Sequence, residues 1–397
     1  MTEYYDLSDV KMPENTTCLP NIISNKVNHS YELSISLFDK CQLHCDFCFQ
    51  THKKDIDLDY IYSIPEKIME IVPRLIKYKT ETLFVRIWGG ELFHDGIKDE
   101  MFDVYQDIIT QIKKNFLEAL PHLKIKINFV SNGVWTKHRE KVLKLLNDNN
   151  AIMCFSYDPV GRFPNEQSRQ LMIDNVHYFY DKNIYTIVAL TLTKRNIEYI
   201  IDGKDDFINN FPKTIPLDIN SYIPGNDWKI NLPNDELLTK FWLYILKHQM
   251  FNCQSLLTYI DPILYPNHAL NSTCCCKCSD QFSNGCLVRD CIKRTSVLPR
   301  SDFYGDLDKD LTDNNVQEVK NYLGTIKRGC LYCENLNRCS WMCFSSILYK
   351  EYQATSCPIN NLLNYTKKNI EEIKQQLIDF DKTYNLSKIF YNPYVEE

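Results

Sequence analysis

The stretch Cys41-Gln42-Leu43-His44-Cys45-Asp46-Phe47-Cys48 carries three cysteines in the spacing C-x3-C-x2-C. A 4Fe–4S cluster needs a ligand on each iron, and cysteine thiolates are the usual ligands. Because no fourth cysteine follows closely, three thiolates would leave one iron free to bind a small molecule. The stretch therefore predicts a 4Fe–4S cluster with one open iron, held by Cys41, Cys45 and Cys48.

The segment before these cysteines is predicted to be a β-strand. Apolar and polar residues alternate from Tyr31 to Leu37, and a period of two is typical of a half-buried strand. The cysteines therefore follow the C-terminal end of a strand, where parallel α/β folds gather their active-site groups.

This spacing, with the aromatic Phe47 directly before the third cysteine, resembles the signature of the radical S-adenosylmethionine (radical SAM) enzymes. The resemblance implies that the open iron binds the amino and carboxylate groups of S-adenosylmethionine (AdoMet). An electron from the cluster would then split AdoMet into methionine and a 5′-deoxyadenosyl radical, which removes a hydrogen atom from the substrate. The alternative is zinc, which takes four ligands in tetrahedral geometry and to which His44 could contribute.

Composition restricts the class of protein. The chain has 397 residues, enough for one large domain and one or two smaller ones. Seventeen cysteines without a signal peptide indicate metal ligation in a reducing compartment rather than disulfides. The net charge is −6 and the charges form no long blocks, so the sequence lacks the basic patch that binds nucleic acid. No apolar run reaches the length of about 18 residues that a membrane-spanning helix needs. We therefore expect a cytoplasmic protein that binds neither nucleic acid nor membrane.

Strand-like and helix-like segments alternate from Tyr31 to Tyr222, the pattern of a parallel sheet. The predicted fold class is α/β: a partial (β/α)6 TIM-like barrel followed by a small cysteine-rich α+β domain. The predicted strands are residues 31–37, 82–88, 124–130, 151–157, 185–192 and 216–222.

Four helices are also predicted, one of which has Met101, Tyr105, Ile108, Ile112 and Phe116 at helical spacing. The first has Ser63 as its N-cap, Glu66 as a capping-box partner and Pro65 in its first turn, with Pro73 as a kink. Residues 234–250 form a bridging helix, and residues 364–381 form a charged helix on the outside.

Eleven of the seventeen cysteines lie between Cys274 and Cys357, which indicates a second domain. Cys154 and Cys253 lie on apolar segments and are expected in the core. The predicted divisions are a lead-in (1–30), the partial barrel (31–232), a bridging helix (233–265), the cysteine-rich domain (266–363), and a C-terminal helix and tail (364–397).

Several strand ends resemble the AdoMet-binding elements of radical SAM enzymes. Gly89-Gly90-Glu91, after the second strand, is similar to the glycine-glycine-glutamate element of the family. The resemblance implies that the glycine backbone approaches the methionine ammonium, since glycine has no Cβ, and that the acid pairs with it. Phe47 belongs to the same cofactor-binding set. A plain turn is the alternative.

Other polar residues resemble the groups that hold the rest of AdoMet. Ser131, Asn132 and Ser156 match the ribose-contacting positions, and hydroxyls and amides can both donate and accept hydrogen bonds. Arg169 matches the arginine that forks onto the AdoMet carboxylate, and Arg162 competes for that role.

The later cysteines spell C-x2-C-x5-C-x3-C followed by a trailing cysteine, and resemble the SPASM extension of radical SAM enzymes that modify peptides and proteins. This implies two auxiliary 4Fe–4S clusters. One would be held by Cys330, Cys333, Cys339 and Cys357. Cys343 would join the other, with Cys276, Cys278 and Cys291 as the preferred partners and Cys274, Cys275 and Cys286 as alternatives. Structural zinc sites are the alternative here too, because C-x2-C pairs also bind zinc.

The resemblance implies an enzyme that abstracts hydrogen from a ribosomally made peptide or a protein and forms an oxidative C–C or thioether crosslink. An external donor such as flavodoxin or ferredoxin would supply electrons. Formylglycine formation, as in sulfatase maturation, and small-molecule oxidation are alternatives. Outside enzymes, the alternative is a structural zinc-binding module. No catalytic base is predicted.

Overall fold

The structure is a computed structural model that describes residues 30–48, 56–77, 79–222, 228–266, 279–283, 286–289, 335 and 357–390. The predicted cluster ligands outside the described residues are Cys276, Cys278, Cys291, Cys330, Cys333, Cys339 and Cys343. The chain forms two compact units. The first contains the described parts of His29–Leu190 and Cys278–Asp290, and the second those of Thr191–Lys277 and Cys291–Tyr391.

Six parallel strands confirm the predicted partial (β/α)6 barrel. Neighbouring strands from β1 to β5 pair in parallel along the sheet, and the sheet order is β6-β5-β4-β3-β2-β1. The strands are β1 (Ser30–Ser36), β2 (Thr82–Trp88), β3 (Lys124–Ser131), β4 (Ile152–Ser156), β5 (Thr186–Leu192) and β6 (Leu217–Ser221).

Alternation in sequence becomes alternation in burial. In β2, Leu83, Val85 and Ile87 on one face are fully buried, whereas Phe84 and Arg86 on the other face are half-buried. Parallel strands covered on one face only by apolar packing have this pattern. Because these strands run parallel, their C-terminal ends, and the loops that follow them, lie at a common edge of the sheet.

Two further strands extend the sheet beyond β1. β7 (Ser279–Ser283) pairs in parallel with β1, and β8 (Cys286–Arg289) pairs antiparallel with β7. They come from the cysteine-rich part of the sequence and were not predicted, because segments of four and five residues show too little alternation to be distinguished from turns.

The first unit also contains helices, and the predicted start of the first one is wrong. The helices are α1 (Leu58–Lys67), α2 (Val72–Lys77), α3 (Met101–Ala119), α4 (Arg139–Asn149) and α5 (Glu166–Asp181). Asp57 is the N-cap of α1 and accepts a hydrogen bond from the Tyr60 amide at 3.1 Å. Ser63 lies inside the helix, where its hydroxyl donates to the Tyr60 carbonyl at 2.7 Å, and Pro65 is mid-helix rather than in the first turn.

In the second unit the bridging helix is confirmed, and the C-terminal helix is corrected. Its helices are α6 (Lys194–Ile201), α7 (Trp228–Asn231), α8 (Asp235–Lys247), α9 (Gln254–Leu264), α10 (Pro358–Lys368), α11 (Ile370–Tyr384) and α12 (Leu386–Ile389). The predicted helix over 364–381 is two helices separated at Asn369, whose side-chain amide donates to the Tyr365 carbonyl at 2.8 Å. Each of the two helices buries one apolar face, with Ile359 and Leu362 in α10 and Ile373 and Leu377 in α11.

Cys154 and Cys253 are buried, as expected for core residues. Among the described residues, no helix combines the length and the apolar character needed to cross a bilayer.

Candidate functional site

The cluster loop, defined here as Leu37–Cys48, follows β1. Cys41, Cys45 and Cys48 are cysteines of intermediate exposure in this loop. The Cys41 sulfur accepts hydrogen bonds from the Leu43 amide at 3.3 Å and from the Asn132 side-chain amide at 3.6 Å. Burial raises the pKa of the Cys41 thiol to about 12 and also raises the pKa of Cys45.

The donor set of this loop fits a 4Fe–4S cluster with one open iron. Three thiols lie in one loop, and Cys41, Cys45 and Cys48 are close enough for each charge to influence its neighbour's pKa. Within the described ranges, no three cysteine, histidine, aspartate or glutamate side chains are drawn together as a metal cage. The fit therefore depends on the kind of donor and its place in the fold. His44, the candidate zinc ligand, is exposed.

Gly89 and Gly90 bring the end of β2 against the cluster loop. The Gly90 amide donates to the Phe38 carbonyl at 2.7 Å, and the Glu91 amide donates to the Lys40 carbonyl at 2.8 Å. A Cβ on Gly90 would lie 1.9 Å from the Lys40 oxygen. Contact with the loop backbone is thus a second reason for glycine here, beside the predicted approach to the AdoMet ammonium.

Glu91 joins the ends of β2 and β3. Its Oε1 accepts hydrogen bonds from the Phe93 amide at 3.1 Å and the Ser131 hydroxyl at 2.9 Å, and Oε2 accepts from the Asn132 amide at 2.6 Å. Burial raises the pKa of Glu91 to about 7 despite these hydrogen bonds. The structure therefore brings together the predicted site residues Glu91, Ser131 and Asn132.

Ser131 and Asn132 differ in what they can still bind. The Ser131 hydroxyl donates to Glu91 and accepts from the Gly133 amide at 3.0 Å and the Trp135 indole at 2.9 Å. Its one donor and both acceptor positions are thus in use. Asn132 instead faces the cluster loop, and its amide lies beside Cys41. The predicted ribose contact remains a prediction, for which Asn132 is the better placed of the two.

Two residues that the sequence did not single out hold the loop after β3. Gln42 donates to the Val134 carbonyl at 2.9 Å. Asn175, fully buried in α5, donates to the Gly133 and Trp135 carbonyls at 2.7 and 2.8 Å and accepts from Arg139 at 2.6 Å. An asparagine on the apolar face of a helix is unusual, and that position was the available signal.

The two candidate arginines lie in different surroundings. Arg162 is in the loop after β4, where Nε and Nη2 lie 2.8 and 2.6 Å from Oδ2 of the buried Asp158. Its guanidinium carbon is 5.4 Å from the centre of the Phe47 ring, in the cluster loop. Arg169, in α5, donates to the Tyr157 hydroxyl at 2.9 Å and pairs with Glu166. Ser156 is half-buried at the end of β4.

One predicted auxiliary ligand is described in the second unit. Cys357 is the N-cap of α10, and its sulfur accepts a hydrogen bond from the Asn360 amide at 3.5 Å. Asn335 is fully buried and donates to the Asn360 and Asn364 side chains at 2.8 and 2.9 Å. The sequence gave no reason to select Asn335, because asparagine is common in turns.

The chain is similar in fold to several solved structures. No protein-family model and no curated protein sequence matches the chain. Native anSMEcpe with bound AdoMet and Cp18Cys peptide is 14% identical with a TM-score of 0.54, covering 89% of this chain and 99% of that one. Native anSMEcpe with bound AdoMet is also 14% identical, with a TM-score of 0.52 and coverage of 91% and 99%. Streptococcus suis SuiB bound to S-adenosylmethionine is 18% identical, with a TM-score of 0.47 and coverage of 83% and 77%. The likeness to anSMEcpe concerns the fold alone, and it agrees with the partial (β/α)6 barrel predicted from the sequence.

Proposed function

We propose that the chain is a radical SAM enzyme that binds AdoMet at the cluster loop and oxidises a peptide. The observation that carries the proposal is the convergence of three predicted elements on one edge of the sheet. Glu91 is bonded through its amide to Lys40 of the cluster loop at 2.8 Å, and Asn132 lies 3.6 Å from the Cys41 sulfur. An unrelated turn and an unrelated thiol would have no reason to meet there.

In this proposal, Cys41, Cys45 and Cys48 hold a 4Fe–4S cluster, and the bound cluster and AdoMet together supply a 5′-deoxyadenosyl radical. Glu91 receives the AdoMet ammonium. Its Oε2 accepts one hydrogen bond, from Asn132, and a carboxylate oxygen can accept a second. A bound ammonium favours the ionised carboxylate and opposes the raised pKa that burial causes.

The proposed substrate is a peptide, since anSMEcpe is seen with a Cp18Cys peptide. The oxidation is either a C–C or thioether crosslink or the conversion of a cysteine or serine to formylglycine. Two auxiliary 4Fe–4S clusters, with Cys357 as one ligand, would accept the electron that the substrate radical gives up. The proposal places the protein in the cytoplasm, with flavodoxin or ferredoxin as the electron donor.

The first experiment is anaerobic reconstitution followed by reduction with dithionite in the presence of AdoMet. The wild-type protein should hold about twelve irons, from three four-iron clusters, and release 5′-deoxyadenosine. A variant with Cys41, Cys45 and Cys48 replaced by Ala should keep about eight irons and release none. Colourless protein with bound zinc would instead support the structural zinc-binding module. Cleavage of AdoMet by the triple variant would overturn the assignment of the cluster loop.

The second experiment identifies the reaction. Peptides encoded beside the gene and a cysteine-containing peptide are incubated with the reduced enzyme and analysed by mass spectrometry. A crosslink removes two hydrogen atoms and creates no aldehyde, whereas formylglycine carries an aldehyde that reacts with a hydrazide. Turnover of AdoMet without change in any peptide would indicate a small-molecule substrate.

A further inference from the structure

The loop that follows β4, Asp158–Arg162, is packed onto the cluster loop. The Asp46 amide donates to the Gly161 carbonyl at 3.2 Å. Gly161 has a φ of +84°, and a Cβ there would lie 2.3 Å from Oδ1 of Asp46. The left-handed backbone favours glycine, and any side chain at this position would also have to displace the Asp46 carboxyl group. The position of Arg162, the next residue, is therefore fixed relative to the cysteines.

Arg162 carries a positive charge against the cluster loop, because its guanidinium carbon lies 5.4 Å from the centre of the ring of Phe47, the residue directly before Cys48. Burial alone would lower its pKa, but Cys45, Asp158 and Cys48 together raise it above the usual value. Charges in a buried site interact strongly because little water screens them.

We propose that Arg162 sets the reduction potential of the cluster held by Cys41, Cys45 and Cys48, and that Asp158 moderates it. This inference rests on the proposed function, which supplies the cluster. One electron enters the cluster from the reductant, the thiolates stay deprotonated and no proton moves. A guanidinium beside the thiolates favours the reduced, more negative state, and the carboxylate disfavours it.

This role differs from binding the AdoMet carboxylate, for which Arg162 was one of two candidates. Nε and Nη2 of Arg162 both point at Oδ2 of Asp158, so part of the fork that would grip a carboxylate is in use. An effect on the potential needs no contact with AdoMet and should be present before AdoMet binds.

The test is a redox titration of the reconstituted, AdoMet-free protein, monitored by EPR. The signal of this cluster is identified as the one that changes when AdoMet is added afterwards. In R162Q, the ratio of reduced to oxidised cluster at a fixed potential should fall at least about tenfold, or about 59 mV for one electron. In D158N the ratio should rise. The D158N/R162Q double variant should lie between them, and R162K should remain near wild type.

Shifts of opposite sign are the decisive result, because a purely structural pair would lose iron in both single variants or shift both in one direction. K144Q is the matched control: Lys144 is an exposed cation of α4 that pairs with Asp148, so its loss should leave the potential unchanged. If R162Q cannot hold iron, D158N can be compared with the double variant, since the two differ only in the charge of residue 162. The cluster of D158N should then be easier to reduce than the cluster of the double variant. The inference would be overturned if the reduction potential were equal in the wild type, in D158N and in any Arg162 variant that holds iron. Continued AdoMet cleavage by the wild type would show that the proposed function still stands. A wild-type protein without iron would instead overturn the proposed function.

Discussion

At Gly90 the end of β2 comes so close to the cluster loop that no side chain fits. A Cβ would lie 1.9 Å from the Lys40 carbonyl oxygen, so G90A must displace backbone rather than a flexible side chain. We expect G90A to lower the free energy of unfolding by about 2 kcal/mol or more, measured by urea denaturation of the metal-free protein. It should also reduce iron loading.

The control for this prediction is G203A. Gly203 has a φ of +68° but nothing within 4 Å of its Cβ position, so only the backbone preference is lost, at a cost of about 1 kcal/mol. If G203A destabilises the protein as much as G90A does, the contact with Lys40 is not what requires glycine.

Glu91 makes stability depend on pH. Its pKa rises from an ordinary 4.5 to about 7 because the carboxyl is buried. Between these values the unfolded chain is ionised while the folded carboxyl keeps its proton. The stability that Glu91 contributes is therefore present below pH 4.5 and is lost as the pH rises through 7. The metal-free wild type should lose roughly 3 kcal/mol relative to E91Q across this window.

The measurement is the free energy of unfolding of both proteins at several pH values. E166Q is the control, because pairing with Arg169 lowers the pKa of Glu166. The pH dependence of stability that Glu166 causes should therefore lie below pH 4.5. A constant difference between wild type and E91Q from pH 4.5 to 7 would contradict the burial argument.

At the scale of elements, α5 positions the loop that carries Asn132. Asn175 is the connection, since its amide satisfies two buried carbonyls, those of Gly133 and Trp135. N175A should leave both carbonyls unsatisfied and destabilise the protein by about 3 kcal/mol. In the reconstituted protein, AdoMet should bind several-fold more weakly by isothermal titration calorimetry.

D174A is the neighbouring control. Asp174 is exposed and accepts a hydrogen bond from Gln170, so the change should remain within about 0.5 kcal/mol. Normal AdoMet affinity in a folded N175A protein would show that the loop keeps its place without this helix.

The elements also show what local sequence can and cannot predict. The six strands were predictable because alternation of apolar and polar residues reports directly on the two faces of a sheet. The start of α1 was not, because Ser63 and Asp57 both suit an N-cap and only packing selects between them. Counting residues beyond Ser156 could not show whether Arg162 or Arg169 lies against the cluster loop, since that depends on the turn at Gly161. The sequence singled out Gly89 and Gly90, but it could not show that Gly90 lies against the Lys40 backbone.

At the scale of the whole molecule, the fold has apolar cores of its own and does not depend on metal alone. The first unit buries Phe93, Phe129 and Trp135, and the second buries Phe241 and Trp242. We expect removal of iron by a chelator under reducing conditions to lower the melting temperature, because a group that binds the folded state stabilises it. The circular dichroism of helices and strands should remain largely unchanged below that temperature.

The triple variant lacking Cys41, Cys45 and Cys48 is the control for chelation. It should show a smaller fall in melting temperature on chelation, because under the proposed function only the iron of the auxiliary clusters would be left to remove. Complete unfolding of the wild type by the chelator at room temperature would mean that the apolar cores are insufficient, as in proteins that fold only around their metal.

The segment Cys41–Cys48 cannot be transferred to another protein by itself, because its flanks are held by contacts at Gly90 and Gly161. One flank is fastened to the end of β2 at Lys40 and the other to the turn after β4 at Asp46. An engineer who grafts these eight residues onto another barrel would transplant the ligands without the scaffold that shapes them. A successful graft would have to carry three separate pieces of chain together, and chimeras joined between β1 and β4 should assemble poorly unless all three come from the same parent.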